Sequence, residues 1–156
     1  MATRHTLTVP PRDAVDIDPT EVVAFMPKAK RLVTRLHPKE TARLRSQFNE
    51  QVRGMFDHNV PCPNPYRFDR HHIHPLGLAG DNSMNNLAWC QKALHRAIHD
   101  HIDWEARGLP VHHSRYIWIP YMTVGRVWDL YPYSPAPRLP SPASRRPGSD
   151  SPRPAA

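Results

Sequence analysis

The sequence predicts an α+β fold, a small and mainly helical domain with short strands and a disordered Pro-rich C-terminal tail. Helix-start signals and apolar residues at helical spacing occur through most of the chain, and shorter apolar segments lie between turn-forming residues. Eight of the 19 prolines fall in residues 132–156, where little can form a core. The predicted organisation is an extended arm over 1–18, one domain over 19–131 and the tail over 132–156.

Composition limits the class of protein. The 156 residues carry a formal net charge of +7, and the longest apolar run is far below the ~20 residues that span a bilayer. We expect no membrane span, and no secretory signal peptide because the first residues lack an apolar segment. Two cysteines, Cys62 and Cys90, cannot make a disulfide framework. A cytoplasmic location, or delivery into a target cell by a specialised system, fits these features.

The first part of the domain, 19–57, is predicted to be helical. Asp18 and Pro19 form a helix-start signal, and the helix is expected to break near Pro27 and to resume over 28–36. A second, amphipathic helix is predicted from Pro38 to near Asp57. Residues 28–53 contain eight Lys or Arg and two Glu. Such a charge run is either a solvated face or a phosphate-binding surface.

The second part alternates strands, a loop and a helix. Strands are predicted over 66–73 and 87–89, with a Gly- and Asn-containing loop between them. A helix over 91–107 should end at Gly108 and Pro110. An edge strand interrupted by Pro120 is predicted over 115–124, and 124–130 is open between a helical turn and a strand.

Histidine is concentrated where this helix and the first strand are predicted. Six of the 11 histidines lie between positions 71 and 101. His95 and His99 are four residues apart, so they share one helix face beside the apolar stripe of Leu94, Ile98 and Ile102, whereas His101 faces elsewhere. Such a pair can bind one metal ion, but it is also common without a ligand.

Two further polar features are ambiguous when each is considered alone. His71 and His72 point to opposite faces of a regular strand, so both serve one site only if the chain bends there. Otherwise one is structural and the other exposed. Asn86, before the second strand, is either a turn residue or part of a site.

Taken together, these residues form one recognisable pattern. Asp69-Arg70-His71-His72-Ile73-His74-Pro75 is followed by a loop, by Asn86, and nine residues later by His95-x-x-x-His99. This segment resembles the HNH endonucleases, whose ββα-metal (His-Me) finger is two strands and a helix around one metal. It is most similar to colicin-type DNases and related bacterial toxin nucleases. The resemblance covers 69–99, roughly a fifth of the chain.

The resemblance implies a role for each matching residue. His71, His95 and His99 are expected to bind one divalent metal ion, with Zn, Mg, Mn and Ni all open. His72 corresponds to the general base and Asn86 to the residue that fixes the loop and orients that base. Asp69 corresponds to an acidic position close to the metal, and the matching loop glycines are Gly77 and Gly80. The paired Cys-x-x-Cys motifs of many relatives are absent, so no structural zinc is expected.

The expected function is hydrolysis of DNA phosphodiester bonds with little sequence specificity, with RNA still open as a substrate. The candidate nucleic-acid contacts are Arg67, Arg70, Arg96, Lys30 and Arg31. The toxin-like motif favours an antibacterial effector with an acidic immunity or inhibitor protein, and a phage or mobile-element nuclease is the alternative role. A rival reading is a non-catalytic, metal-stabilised nucleic-acid-binding module with His72 as fourth ligand. A degenerate finger that serves as an interaction domain is a third.

Overall fold

The computed structural model describes residues 17–123 and 125–130 and has a mixed α+β fold. Residues 1–16 of the predicted arm and the whole predicted tail, 132–156, lie outside the described residues. The elements, in chain order, are α1 (Pro19–Phe25), β1 (Lys28–Thr34), α2 (Pro38–Gln47), α3 (Arg53–Asn59), β2 (Phe68–His72), β3 (Leu87–Gln91), α4 (Lys92–Glu105), β4 (Ser114–Pro120) and β5 (Val127–Trp128). No described helix is long and apolar enough to cross a membrane.

Two small sheets pack around helix α4. In the first, β1 and β4 are antiparallel, with Lys28 opposite Pro120 and Thr34 opposite Ser114. In the second, β2 pairs antiparallel with β3, and β3 pairs in parallel with β5. The main core joins the first sheet, α1 and the apolar stripe of α4, which is buried as predicted: Leu94, Ile98 and Ile102 are 0 %, 0 % and 1 % exposed.

The helix-start signal at Asp18 is confirmed. Its carboxylate accepts a hydrogen bond from the Thr20 amide at 2.9 Å, and Pro19 occupies the first turn. Helix α1 ends at Phe25, before Pro27, because proline disfavours a helical conformation in the residue that precedes it. The chain therefore leaves α1 in an extended conformation.

The predicted helix over 28–36 is wrong, because this segment is strand β1. Lys and Arg favour a helix locally, but pairing with β4 provides backbone hydrogen bonds and buries Val33 completely. The partner strand lies some 80 residues further along the chain, so local propensity could not reveal it. As a result, Lys30 and Arg31 lie on a strand and not on a helix.

The second helical prediction holds over most of its length. Helix α2 begins at Pro38, continues through a π-helical turn (Phe48–Val52) and ends as α3 at Asn59. His37 and Glu40 form a reciprocal capping box at its start. Phe48 and Phe56 are buried in a second, smaller core beside β2 and β3.

The remaining elements lie close to their predicted positions. Strands β2 and β3 and helix α4 follow in the predicted order, and the Gln91 side chain caps α4. Strand β4 ends at Pro120, the predicted interruption. The open segment at 124–130 contributes the short strand β5, while Val124 itself is outside the described residues.

The loop between β2 and β3 turns back on itself at Gly80. The Gly80 amide donates to the Pro75 carbonyl at 2.9 Å. A Cβ at position 80 would lie 1.8 Å from the His74 carbonyl oxygen, which is closer than two non-bonded atoms can approach. Only glycine therefore allows this close passage of backbone against backbone.

We expect Gly80→Ala to destabilise the fold by roughly 1–3 kcal/mol or more, because the backbone must shift to relieve the clash. Gly54→Ala is the matched control: nothing lies within 4 Å of its Cβ position, and it sits in helix α3. Alanine there should be neutral or stabilising by up to about 1 kcal/mol. Thermal denaturation of both variants measures the difference, and equal stabilities would contradict this account of the loop.

Candidate metal centre

Three histidines from two elements meet at one point. His71 lies on β2, and His95 and His99 lie on α4. One nitrogen from each ring can be chosen so that all three atoms are within 4.8 Å of one another. The structure thus brings together the three residues that the sequence assigned as metal ligands, because α4 follows β3 directly and packs on β2 with this face.

His71 is the deepest of the three. Its side chain is 0 % exposed, and neither ring nitrogen has a hydrogen-bond partner among the described residues. Its ring centroid lies 4.9 Å from that of His95, 5.7 Å from His99 and 5.3 Å from Trp128 on β5. A buried polar atom without a partner destabilises a fold, and a metal ion would supply the missing partner.

His95 is oriented by a carboxylate behind it. Its Nδ1 lies 3.1 Å from Asp69 Oδ2, and its Nε2 lies 3.0 Å from His99 Nε2. If Nδ1–H donates to Asp69, the lone pair of Nε2 is directed into the centre. A carboxylate is a usual hydrogen-bond partner for the second ring nitrogen of a metal-binding imidazole. Asp69, the predicted acidic residue, therefore contacts one of the three histidines that could hold a metal ion.

The charge state of Asp69 suits this role. Burial raises the pKa of its carboxyl, but hydrogen bonds and charges from Lys92 and His95 outweigh burial and leave the pKa below its ordinary value. The Lys92 ammonium is 2.7 Å from Asp69 Oδ1. The carboxylate is consequently ionised at neutral pH and can accept a hydrogen bond from His95.

The histidine pKa values favour metal binding. Burial, followed by the charges of His95 and His99, lowers the pKa of His71 well below its ordinary value. Burial, then the charge of His95, also lowers the pKa of His99. Neutral imidazoles offer lone pairs, and three nitrogen donors suit zinc, nickel or manganese while leaving coordination positions open. The residues present therefore fit a divalent metal ion.

His72 follows His71 in the chain but has different contacts from the three candidate ligands. Strand β2 runs through His72, so the expected bend comes only after it. Even so, the charges of His95 and Arg45 act on His72 as they do on His99. His72 Nε2 is 2.9 Å from Asn82 Oδ1, and its ring packs edge-on against Phe48 at 4.9 Å between centroids. Burial is the main cause that lowers the pKa of His72, and the hydrogen bond to Asn82 partly opposes it.

The side-chain hydrogen bonds of Asn86 go to the backbone of the loop. Its Oδ1 accepts from the His74 amide at 2.8 Å, and its Nδ2 donates to the carbonyls of His74 and Asp81 at 2.9 and 2.8 Å. His74 itself is a loop contact, with Nε2 2.7 Å from the Leu78 carbonyl oxygen. The side chain of Asn86 therefore acts on the loop backbone, and its hydrogen bonds do not reach His72.

Sequence reasoning missed the residue that does hold His72. Asn82 Oδ1 can only accept, so His72 Nε2–H is the donor of their hydrogen bond, and Asn82 Nδ2 donates to the Leu44 carbonyl at 3.0 Å. It thus connects the general-base candidate to the last turns of helix α2. Nothing in the local sequence distinguishes Asn82 from the other polar residues of this loop.

The candidate basic residues separate into different groups. Arg70 makes contacts within the fold: its guanidinium donates two hydrogen bonds to Asp57 at 2.8 and 2.6 Å and lies 4.8 Å from the centroid of the Trp89 ring. Arg67 and Arg96 are exposed and flank the centre in sequence. Arg45, which the sequence did not single out, is exposed on α2, and its charge lowers the pKa of both His72 and His99.

Comparison with known proteins gives no assignment. No protein-family model, no curated protein and no solved structure shows a significant match to the chain. The function must therefore be argued from the geometry of the described residues.

We expect Zn²⁺ or Ni²⁺ to raise the melting temperature of the protein, because binding to the folded state alone stabilises it by about 2.7 kcal/mol at a hundredfold excess over Kd. His99→Ala should remove most of this gain. His113→Ala is the control, since His113 is exposed and, within the described part of the chain, its side chain bonds only to the nearby Val111 carbonyl. Differential scanning fluorimetry after EDTA treatment checks this, and an undiminished metal response in His99→Ala would contradict the ligand assignment.

Proposed function

We propose that the chain is a metal-dependent HNH endonuclease that hydrolyses DNA phosphodiester bonds with little sequence specificity. One observation carries the proposal: the buried His71, whose ring nitrogens have no hydrogen-bond partner among the described residues, offers one nitrogen within 4.8 Å of a nitrogen of His95 and of His99. His72, whose pKa is lowered, follows it directly in the chain. In this proposal β2, β3 and α4 form a ββα-metal finger around one divalent ion.

His71, His95 and His99 would hold that ion. When bound, it supplies positive charge that neutralises the phosphate and its leaving oxygen. Imidazole ligands favour zinc, nickel or manganese over magnesium. Asp69 keeps the His95 ring in the orientation that binding requires, through the contact at 3.1 Å.

His72 is proposed as the general base. With Nε2–H donating to Asn82 Oδ1, the other nitrogen, Nδ1, is the proton acceptor. Its lowered pKa keeps the ring unprotonated at neutral pH, which is the form that a base needs. His72 then takes a proton from the attacking water, and the hydrogen bond to Asn82 holds the ring in place during the transfer.

The contacts of His72 favour catalysis over the rival metal-stabilised binding module. A fourth structural ligand would need a nitrogen near the other three, whereas the group of possible ligands in the described residues consists of His71, His95 and His99. His72 instead bonds to Asn82. A degenerate finger is also disfavoured, because the three proposed ligands lie together and His95 has Asp69 as its hydrogen-bond partner.

Exposed arginines provide the proposed contacts to the nucleic-acid backbone. Arg45, Arg67 and Arg96 are all exposed, and such contacts bind phosphate without reading bases. This agrees with low sequence specificity, and phosphate contacts of this kind suit DNA and RNA equally. The antibacterial role and an acidic inhibitor protein stay predictions of the sequence.

We expect His72→Ala to lower the rate of plasmid cleavage by about 10²–10⁴-fold, the usual contribution of a general base, with metal binding retained. Plasmid digestion with Mg²⁺, Mn²⁺, Ni²⁺ or Zn²⁺, and with EDTA as the metal-free arm, measures the rate. His113→Ala should cut like the wild type. Wild-type protein that cuts neither DNA nor RNA with any metal would contradict the enzyme, and loss of metal by His72→Ala would support the rival module.

We expect Asn82→Ala to lower kcat about tenfold with little change in KM, because the His72 ring loses the side-chain acceptor that Asn82 provides and can turn. Asn82→Asp keeps an acceptor oxygen and should recover part of the rate. Asn85→Ala, an exposed asparagine of the same loop, is the control. Equal losses in the Ala and Asp variants would show that Asn82 matters only through its contact with α2.

A further inference from the structure

The outer face of the β1–β4 sheet is apolar, aromatic and exposed. The inner face packs Val33, Ile117 and Ile119 into the core, where each is at most 1 % exposed. On the other side of the same strands, Leu32, Tyr116 and Trp118 are 51 %, 63 % and 48 % exposed. We call the set Lys30, Leu32, Tyr116 and Trp118 the outer face.

These four side chains form one contiguous strip. Tyr116 and Trp118 alternate with buried residues on β4, so they stand on one side, about 7 Å apart along the strand. In the register of the sheet, Leu32 lies opposite Tyr116 and Lys30 lies opposite Trp118. The Lys30 ammonium is 5.6 Å from the centroid of the Trp118 ring. Two aromatic rings thus stand in line, with a cation beside one of them.

The backbone that carries these rings is held firmly. The Trp118 amide donates to Glu105 Oε1 at 3.0 Å, and the Trp118 carbonyl oxygen lies 2.9 Å from His101 Nε2. Both partners come from α4, which also packs against β4. The aromatic strip is therefore largely formed before any ligand arrives, which reduces the entropy cost of binding.

Charge identifies the kind of occupant. Lys30 is exposed, and no carboxylate of the described residues forms an ion pair with it. The nearby Glu105 is already engaged by the Trp118 amide and by the charge of Lys28. An occupant should therefore combine negative charge with flat apolar surfaces. The chain's own tail is a poor match, because residues 132–156 carry four Arg and one Asp.

We propose that the outer face binds single-stranded nucleic acid, with unpaired bases stacked on Tyr116 and Trp118 and Lys30 beside the phosphates. Aromatic side chains along a basic surface are the usual platform for unpaired bases, since every base has a face that can stack. Bases in a duplex are already stacked on one another, so the face discriminates against paired strands. This site is separate from the histidine centre and does not depend on cleavage.

The test measures binding of a fluorescein-labelled oligothymidine to the full chain by anisotropy, in EDTA so that metal-dependent cleavage is suppressed. We expect Trp118→Ala and Tyr116→Ala each to weaken binding about tenfold or more. Lys30→Gln should reduce the salt dependence by a slope of about 0.7. Trp104→Ala is the control, because Trp104 is 60 % exposed on α4 but already carries the Arg107 guanidinium 3.6 Å from its ring.

Several outcomes overturn the proposal: unchanged affinity in Trp118→Ala, an equal loss in Trp104→Ala, equally tight binding of a duplex, or displacement by polyglutamate as effective as by unlabelled oligonucleotide. The last result would assign the face to acidic proteins. Photocrosslinking of wild-type protein to bromouracil-substituted DNA serves as a second measurement that requires no variant to fold. Crosslinks should map to Tyr116 or Trp118, and crosslinks only elsewhere overturn the proposal.

Discussion

The burial of one unpartnered imidazole constrains the rest of this structure. His71 lies at 0 % exposure with two nitrogens that make no hydrogen bond within the described residues. Strand β2 holds it from one side, α4 presents His95 and His99 from another, and Trp128 covers it from β5. Both β2 and α4 must be in place to bring one nitrogen of each histidine together, and β5 must be in place to cover His71. The geometry of the centre therefore depends on the packing of these elements.

The loop between β2 and β3 connects the region of the histidines to helix α2. Asn86 fixes the loop backbone with three hydrogen bonds, and Gly80 permits the close turn that they require. Asn82 then reaches the Leu44 carbonyl on α2 with one end and His72 with the other. The two asparagines therefore have different roles. Asn86 fixes the loop backbone, and Asn82 connects the His72 ring to helix α2.

Sequence alone predicted those features that depend on local chemistry. The cap at Asp18, the apolar stripe of α4 and the shared face of His95 and His99 follow from spacing within a few residues, and the structure has them. The strand at Lys28–Thr34 was missed because its partner, β4, is distant in the chain. Asn82 and Trp128 were missed for the same reason, since their contacts with His72 and His71 join segments that no local pattern relates.

The parallel pairing of β5 with β3 has a consequence for the order of assembly. During synthesis from the N-terminus, β2, β3 and α4 all emerge before Trp128, which closes the floor beneath His71. Until then the Trp128 ring does not cover His71, and the N–H proton of His71 can exchange with water. The centre is thus completed late, and a nascent chain cannot hold the three histidines in their final, dry environment before β5 has joined the sheet.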